Sequence, residues 1–349
     1  MNSSRRDAAD SCRPTGARGD AVVVPANAAN VARAAQVLRD GGLVAFPTET
    51  VYGLGADAAN PAAVARIFAA KGRPAEHPVI VHVADVAAAQ RWAASMPSGA
   101  RDLADAFWPG PLTLILPRAD HVSDVVTGGQ PSIGLRAPSH PVARALLAAF
   151  GGGIAAPSAN RFGHLSPTTA QHVADDLGAA VDLILDGGAC NVGIESTIVA
   201  FTAGTPALLR PGAIDASAVA RVLGRMPAAR DAAAPRASGT LASHYAPRTP
   251  AALVTGDALR AELAQLEERD ERVAVLAWST EPPEGFDGVW RTAPHDAAAY
   301  AHTLYANLRA LDATDVDAIL IEQVPDGDAW AAIRDRLARA TSGEDDDRD

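Results

Sequence analysis

The chain has 349 residues, of which 48% are hydrophobic and 20% are charged, and its formal net charge is −11 at pH 7. The length allows two domains of ordinary size, and the hydrophobic fraction allows a substantial core. The acidic balance argues against a surface that binds nucleic acid or an anionic membrane through bulk charge. A small basic pocket for a phosphate ligand stays compatible with it.

Cysteine content and hydropathy narrow the cellular setting. Cys12 and Cys190 are too few and too far apart for a disulfide framework or a zinc-ligand cluster, so free thiols in a reducing compartment are the simplest interpretation. Residues 1–20 lack the run of about 7–15 apolar residues that a secretory signal needs. No later stretch approaches the roughly 20 apolar residues of a membrane span. We therefore expect a cytoplasmic protein that does not bind membranes.

The predicted elements describe two α/β regions. Residues 1–20 are expected to be a disordered extension, and residues 21–226 alternate short apolar runs with amphipathic stretches, which is typical of an α/β domain. We predict strands at Leu43–Phe46, Pro78–Val83, Leu112–Leu116, Ile133–Ala137, Ile154–Ala156, Leu183–Leu185 and Ile194–Phe201. We predict helices at Val31–Arg39, Pro61–Lys71, Val86–Ala94, Ala100–Phe107, Pro141–Phe150, Pro167–Leu177 and Ala216–Leu223.

Two of these helices carry terminal signals. Asn60 and Pro61 suit the N-cap and the first helical position, and Gly72 suits the end of that helix. Ser166 and Pro167 predict the start of another helix in the same way, with Gly178 closing it.

Residues 227–250 have the composition of a linker, with four prolines among alanine, arginine and serine. His244-Tyr245 is unusual in an inert tether. Beyond the linker, residues 251–341 are predicted to form a second, smaller α/β domain, and residues 342–349 an acidic tail. The strands of this second domain are predicted at Ala251–Val254, Val273–Trp278 and Ala318–Ile321. The helices of this domain are predicted at Ala258–Arg269, Ala297–Leu311 and Ala329–Ala340.

Two short segments could bind an anion. Lys71-Gly72-Arg73 places two cations at a helix end, although cations there are also favoured as caps by the helix dipole. Ala156-Pro157-Ser158-Ala159-Asn160 follows a buried strand, where open α/β sheets bind ligands, although an ordinary turn explains it as well.

Isolated polar residues leave similar alternatives. Arg136 and Arg210 carry the rigid fork that suits carboxylate or phosphate, but each could be a surface cation. His82, inside an apolar strand, is on its own more often a hydrogen-bonded core residue. The sequence contains no Walker A motif, no His-Glu-x-x-His and no Gly-x-Ser-x-Gly. The residues alone therefore predict an α/β protein with an anion pocket of Lys, Arg, Ser and Asn, and no metal site of protein side chains.

Taken in order, these segments resemble the YrdC-like domain of threonylcarbamoyl-AMP synthases. The similar segments are Phe46-Pro47-Thr48-Glu49-Thr50-Val51-Tyr52-Gly53-Leu54-Gly55, Lys71-Gly72-Arg73-Pro74, His77-Pro78-Val79-Ile80-Val81-His82, Trp108-Pro109-Gly110-Pro111-Leu112-Thr113, Ser158-Ala159-Asn160, Glu195-Ser196-Thr197-Ile198-Val199 and Leu209-Arg210-Pro211-Gly212. Ser243-His244-Tyr245-Ala246-Pro247 and the region after it resemble the family's two-domain form. The sequence departs from the family pattern at Ser238-Gly239-Thr240, where Pro-Gly-Met is usual, and at His77, where some members carry asparagine.

The resemblance implies a YrdC-like twisted mixed-sheet domain, a smaller Rossmann-like domain, and synthesis of threonylcarbamoyl-AMP from L-threonine, bicarbonate and ATP with Mg²⁺. It implies a cytoplasmic nucleotidyltransferase that supplies the machinery which transfers threonylcarbamoyl to tRNA adenosine next to the anticodon. By this resemblance, threonine is held by Thr50, His82, Arg136, Ala156 and Ser196. ATP is held by Arg73, His77, Thr113, Ser158, Ser166, Arg210 and Tyr245, with residues 227–250 acting as a lid. The reacting centre is lined by Lys71, Arg73, Ser158 and Asn160.

Two other functions stay open from the sequence. YrdC-like domains present a basic concave face, which would suit an RNA-binding module, but the net charge and the absence of interleaved aromatic residues count against it. Carbamoyl-adenylate-forming enzymes of a related maturation pathway share the domain. They also carry zinc-finger cysteines and an acylphosphatase region, which this sequence lacks.

Overall fold

The protein is described by a computed structural model that covers residues 22–202, 204–231, 234–240 and 244–342. The helices in this part of the chain are α1 (Ala28–Arg39), α2 (Pro61–Lys71), α3 (Val86–Ala89), α4 (Ser98–Phe107), α5 (Asp124–Thr127), α6 (Pro141–Phe150), α7 (Ala170–Leu177), α8 (Ala216–Leu223), α9 (Gly256–Glu268), α10 (Ala297–Asp312) and α11 (Ala331–Thr341). Short 3₁₀ turns lie at Gly178–Ala180 and Asp328–Trp330.

The strands form two sheets. Those of the first sheet are β1 (Val23–Pro25), β2 (Val44–Pro47), β3 (Tyr52–Asp57), β4 (Ile80–His82), β5 (Leu112–Pro117), β6 (Ser132–Arg136), β7 (Ile154–Ala155), β8 (Leu183–Asp186), β9 (Thr197–Ala200), β10 (Ala207–Arg210) and β11 (Ala228–Ala229). Within the described residues this sheet is mixed, in the order β1-β8-β2-β3-β7-β4-β6-β5-β9-β10-β11. Those of the second sheet are β12 (Ala251–Val254), β13 (Val273–Ala277), β14 (Val289–Thr292) and β15 (Ala318–Glu322), paired in parallel in the order β12-β15-β13-β14. The expected fold class, a mixed-sheet α/β region with a smaller Rossmann-like region, is confirmed.

The ends of α2 follow from its sequence. The Asn60 side chain accepts hydrogen bonds from the backbone N–H of Ala62 and Ala63, and Gly72 ends the helix at φ 63°, a left-handed conformation that favours glycine. This geometry places Lys71 in the last helical turn and turns the chain back toward Arg73.

The predicted helix start at Ser166-Pro167 is wrong. The helix α7 begins three residues later, at Ala170, because the Thr169 side chain accepts from the backbone N–H of His172 and provides the cap. Ser166 instead donates its hydroxyl hydrogen to Glu195. The predicted end at Gly178 agrees with the structure.

Several short strands were not predicted, and some predicted elements are shorter than expected: the strand at Pro78–Val83 spans Ile80–His82, and the helix at Val86–Ala94 ends at Ala89. β3 contains Gly53 and Gly55, and β1, β10 and β14 are only three or four residues long, so their apolar patterns are weak. The strand expected from Ile194 begins at Thr197, because the side chains of the two preceding residues, Glu195 and Ser196, form hydrogen bonds with Ser166 and Thr113. Residues 228–229 of the expected linker add a short parallel strand to the first sheet.

Strand direction gathers polar residues at one edge of the first sheet. Strands β4 and β6 run in parallel, and their last residues, His82 and Arg136, are register partners. The end of β10 lies beside the start of the antiparallel β9, which brings Arg210 close to Ser196.

The second sheet has an internally bound carboxylate at the corresponding edge. Glu322, which is 2% exposed, accepts hydrogen bonds from the backbone N–H groups of Trp278, Ser279 and Thr280 and from both of the neighbouring hydroxyls. Gly256 packs against the same carboxylate, since a Cβ there would lie 2.9 Å from its oxygen.

The two sheets are joined by a shared apolar core. Val51, Leu165 and Ile194 from the first region pack in one buried cluster with Leu304 and Tyr305 of α10. The expected domain limits stay predictions, and the extension at 1–20 and nearly all of the tail at 342–349 lie outside the described residues. None of the described helices is long and apolar enough to cross a membrane.

Candidate active site

A narrow cavity of about 50 Å³ lies at the polar edge of the first sheet. Nine of the residues expected to bind substrate or to line the reacting centre form its wall: Thr50, Arg73, His82, Arg136, Ala156, Ser158, Ser196, Arg210 and Tyr245. These residues come from β3, β4, β6, β7, β9, β10 and the segments next to them, so the fold collects signals that are far apart in the sequence.

Lys71 and Asn160 lie directly behind this wall. The Lys71 ammonium, 4% exposed, donates to the backbone oxygen of Ser158 at 2.7 Å and to the backbone oxygen of Asn160. Burial, followed by the charge of Arg73, holds the pKa of Lys71 well below its usual range. The Asn160 amide donates to the carbonyls of Arg161 and His164, which fixes the turn that carries Ser158.

Two arginines approach the cavity without a carboxylate partner among the described residues. Arg73 donates to the Pro78 carbonyl at 2.9 Å, and burial lowers its pKa to about 10. Arg210 donates to the Ser196 carbonyl and hydroxyl and to the Ser238 carbonyl. Both guanidinium groups are therefore held by neutral oxygen atoms and form no ion pair among the described residues. Burial would raise the pKa of Glu195, but Arg336 and then Arg210 lower it, so the charge of Arg210 is partly balanced.

Arg136 differs, because it forms a buried ion pair with Glu49 at 2.7 Å. Burial would raise the pKa of Glu49, but Arg136 and the backbone N–H of Ser139 bring it below its usual range. His82 lies beside this pair, and burial, followed by Arg136, lowers its pKa to about 3, so its ring is neutral. Its Nδ1 atom is buried and has no hydrogen-bond partner within the described structure.

Hydroxyl groups complete the floor of the cavity. The Thr50 hydroxyl lies 2.8 Å from that of Thr48, which also donates to the Val51 carbonyl. The Ser196 hydroxyl lies 2.8 Å from the Thr113 hydroxyl.

Thr113 itself faces an adjoining hollow rather than the main cavity. This hollow is largely apolar, with Ile80, Ile115 and Ile198 on its wall, and it shares Ile80 and Ser238 with the main cavity. Ser132, which was not predicted as a site residue, lies on the same wall and is 4% exposed.

Two predicted ATP ligands, His77 and Ser166, lie on the wall of neither hollow. Ser166 is fully buried against Glu195, at 2.5 Å from its carboxylate, and His77 lies half-buried against the ring of Phe162 at 5.4 Å. The structure therefore brings neither side chain into the cavity, and their roles stay predictions.

The segment between the two sheets closes the cavity. Ser238, Gly239, His244 and Tyr245 all contribute to the wall. Tyr245 is 1% exposed and has φ 64°, an unusual backbone conformation for a bulky residue. Burial, together with the charge of Arg73 and other neighbouring cations, holds the pKa of His244 well below its usual range, so its ring is neutral.

Three charged residues that organise the site had no predicted role. Glu49 and Glu195 stand within the similar motifs, and a carboxylate inside an apolar stretch is a signal of a buried pair. Arg336 stands on the apolar face of α11, in step with Ala332, Ile333, Leu337 and Ala340. A cation at such a position predicts a buried partner in the same way.

The arrangement defines an α/β enzyme site for anionic substrates. Buried cations, neutral imidazoles and hydroxyls surround the cavity. The described residues contain no group of three or more His, Cys, Asp or Glu that could hold a metal ion. Such a site can bind and orient charged reactants and stabilise negative charge.

Comparison with known proteins gives the family. A Sua5/YciO/YrdC family model described as telomere recombination matches residues 36–212, and a model described as the threonylcarbamoyl-AMP synthase C-terminal domain matches residues 214–342. A Bacillus subtilis protein named threonylcarbamoyl-AMP synthase is 40% identical over 328 residues, 91% of this chain and 94% of that protein. The chain belongs to the threonylcarbamoyl-AMP synthase family.

Two solved structures of Pyrococcus abyssi Sua5 have the same two-region fold. One, a complex with L-threonine, has a TM-score of 0.84 at 37% identity, and covers 92% of this chain and 96% of that chain. The other, a variant with alanine in place of a histidine and the adjacent tyrosine, has a TM-score of 0.85 at 35% identity with the same coverage.

Proposed function

We propose that this enzyme synthesises L-threonylcarbamoyl-AMP from L-threonine, bicarbonate and ATP, and releases pyrophosphate. The observation that carries the proposal is that Arg73 and Arg210, both buried and both bound to neutral oxygen atoms, line one cavity, while the buried Lys71 donates to the backbone oxygen of Ser158 on its wall. Burying an unpaired charge is costly, so the arrangement is consistent with a site whose anionic partner is the substrate.

Threonine binds, in this proposal, between the ends of β4, β6 and β7. Arg136 receives its carboxylate, since a guanidinium fork matches that geometry. Thr50 and Ser196 offer hydroxyls to its polar groups, and Ala156 leaves room for its methyl group. The neutral His82 can accept a hydrogen bond from its amino group, because Nδ1 has no other partner among the described residues.

ATP takes the neighbouring space. Arg73, Arg210 and Ser158 contact the phosphates. The apolar hollow beside Thr113 and Ser132, about 10 Å³ as it stands, would widen to receive the adenosine. His77 and Ser166 are proposed as further ATP contacts on the family resemblance alone.

The reaction joins two anions, so its main obstacle is electrostatic. The threonine amine and bicarbonate give a carbamate and water. A carbamate oxygen then attacks the α-phosphorus of ATP, and the bond from that phosphorus to pyrophosphate breaks. Lys71 and the two arginines lower the repulsion and stabilise charge on the phosphorus, while Asn160 fixes the turn on which Ser158 stands.

Residues 227–250 serve as the lid. A cavity of about 50 Å³ is far below the roughly 300–1,000 Å³ of common ligand sites. Ser238 and Tyr245 must therefore shift to admit ATP, and their return would keep water from the mixed anhydride.

Mg²⁺ is proposed to arrive with the ATP phosphates. The carboxylates near the cavity, Glu49 and Glu195, are held by arginines, and Mg²⁺ commonly binds through phosphates and water. The product is proposed to supply threonylcarbamoyl transfer to tRNA in the cytoplasm, without strong nucleic-acid binding by this chain.

The test is pyrophosphate release from ATP with threonine or bicarbonate omitted in turn. Release should require both, serine should react more slowly, and EDTA should stop the reaction. Equal release without threonine would sink the assignment. The match of residues 214–342 to the synthase C-terminal model favours this function over carbamoyl-adenylate formation.

A further inference from the structure

The contact between the two regions includes a fully buried ion pair that reaches the active site. Arg336 of α11, 1% exposed, donates from Nε to the Glu195 carboxylate at 2.7 Å and from Nη2 to the Glu195 carbonyl at 3.4 Å. Tyr305 of α10 donates its hydroxyl hydrogen to the same carboxylate, at 3.0 Å from Oε2. Both donors belong to the C-terminal region, while Glu195 belongs to the first.

Glu195 is continuous with the cavity wall. The next residue, Ser196, contributes its hydroxyl and receives Arg210. Because consecutive residues share a peptide plane, the direction of the Glu195 side chain constrains the position of Ser196. The arginine of the second region therefore fixes a strand start in the first.

Arg336 also supports the lid. Its guanidinium carbon lies 5.3 Å from the centre of the Tyr245 ring, within the range of a cation–π contact. Tyr305 packs against the same ring at 5.7 Å, and Arg210 lies 3.4 Å from the Tyr245 hydroxyl. Tyr245, with its left-handed backbone, is thus held between Arg336 and Arg210.

We infer that Arg336 is a positioning residue for both substrates. It aligns Ser196 through its ion pair with Glu195, and it aligns Tyr245 through direct contact with the tyrosine ring. The inference rests on the proposed function, in which Ser196 holds threonine and Tyr245 contacts ATP. The C-terminal region therefore forms the outer support of the active site, and binding of threonine and of ATP depends on how α11 is seated.

A second interdomain ion pair provides a matched control. Arg309 of α10 pairs with Asp176 of α7 at 2.7 Å, and both side chains are largely buried. Neither residue lies on the wall of the cavity, and Arg309 meets the proposed ATP contact Ser166 only at its backbone carbonyl, at 3.4 Å. An effect that comes only from looser docking should be the same for both pairs.

The experiment compares Arg336→Lys and Arg336→Met with Arg309→Met in the full-length enzyme. Lysine retains the charge but loses the two-point contact and the flat face. We expect both Arg336 variants to raise the KM values for threonine and for ATP together, about tenfold for lysine, with a smaller change in kcat. Arg309→Met should lower the melting temperature and leave both KM values within about twofold of wild type.

If Arg336→Met does not fold, the double variant Glu195→Gln/Arg336→Met replaces it. Removing both charges avoids an unpaired buried ion, because Asp335, the second carboxylate partner of Arg336, keeps its ion pair with Arg339. Recovery of the melting temperature with raised KM values supports positioning. Wild-type KM values in the double variant and in Arg336→Lys would overturn it, as would equal changes in Arg309→Met.

Failure of the proposed function is recognised separately. In that case the wild-type enzyme itself releases pyrophosphate without threonine or bicarbonate. Where the wild type needs both and the Arg336 variants keep its KM values, only the positioning role is wrong.

Discussion

Two clusters of buried charge lie on either side of Ser196, and they are balanced in opposite ways. On the cavity side, Lys71, Arg73 and Arg210 form no ion pair with a carboxylate in the part of the chain that the structure describes. On the interdomain side, Arg336 and Arg309 each have a carboxylate partner, Glu195 and Asp176. Both clusters use basic side chains that are largely buried.

In the proposed function, the cations without an ion pair bind substrate, whereas the paired cations stabilise the structure. A buried cation without an anion destabilises the fold and raises affinity for an anionic ligand, whereas a compensated pair is costly mainly when one partner is removed. Arg136 is intermediate, because Glu49 compensates it while it still faces the cavity.

Lys71→Met should have the largest effect on activity. Loss of one positioned cation is expected to reduce pyrophosphate release about 10²–10³-fold, in line with the loss of a single stabilising donor. The melting temperature should change by no more than about 3 °C, because an uncompensated charge disappears along with its hydrogen bonds. Steady-state kinetics and calorimetry on Lys71→Met and Arg309→Met measure both quantities.

The two variants should therefore show opposite profiles, since Arg309→Met loses stability and keeps activity. A Lys71→Met enzyme with normal turnover and a sharply lowered melting temperature would make Lys71 a structural cap and remove the basis of the comparison.

Glu49→Gln should show which cluster Arg136 resembles more. Loss of the counter-ion is expected to lower the free energy of unfolding by about 3 kcal/mol, since one partner of a buried pair is removed. The carboxylate of added threonine can supply the missing charge, so saturating threonine should raise the melting temperature more in the variant than in wild type.

The control for Glu49→Gln is Asp124→Asn, in the exposed pair with Arg118, where little change is expected. Thermal unfolding with and without threonine is the measurement. An equal response to threonine in the variant and the wild type would mean that Arg136 does not face the substrate carboxylate.

His82 should give the smallest effect, seen in the pH dependence of stability. The unfolded chain protonates this ring near pH 6.5, while the folded protein keeps it neutral down to about 3. Its contribution to stability is therefore fully present above pH 6.5 and declines as the pH falls below that value. His172, whose pKa burial lowers to about 4, acts in the same direction, so His82→Gln should reduce the slope rather than abolish it.

Denaturant unfolding at several pH values between 6.5 and 5 tests this point, with exposed His121→Gln as the control. This range lies above the ordinary values of Glu49 and Glu195, whose lowered pKa values act only in more acidic solution. An unchanged slope in His82→Gln would show that His82 protonates equally in the folded and unfolded chains.

Local signals in the sequence predicted much of the fold. Pro61–Lys71 and Pro141–Phe150 were predicted at their observed limits, because proline and glycine stand at their ends. The predicted start of α7 was wrong. Ser166-Pro167 has the residue types of a helix start, but the Ser166 side chain is hydrogen bonded to Glu195 and does not cap the helix.

The site was predicted through motifs, and its charge balance was not. Periodicity cannot indicate that Arg73 would meet carbonyl groups and Arg136 a carboxylate, because these partners depend on strand order. The role of Arg336 required the packing of α11 against Glu195, which lies 141 residues away in sequence. Only its place on an apolar helix face was visible beforehand.

The carboxylate of Glu322 affects where a nucleotide phosphate could bind in this protein. It fills a nest of three backbone N–H groups at the carboxyl edge of the parallel sheet, where open α/β sheets commonly bind their ligands. A side chain that is part of the site competes with a free ligand at an effective concentration in the millimolar range or higher. A nucleotide phosphate would have to displace this carboxylate to bind at that edge of the second sheet.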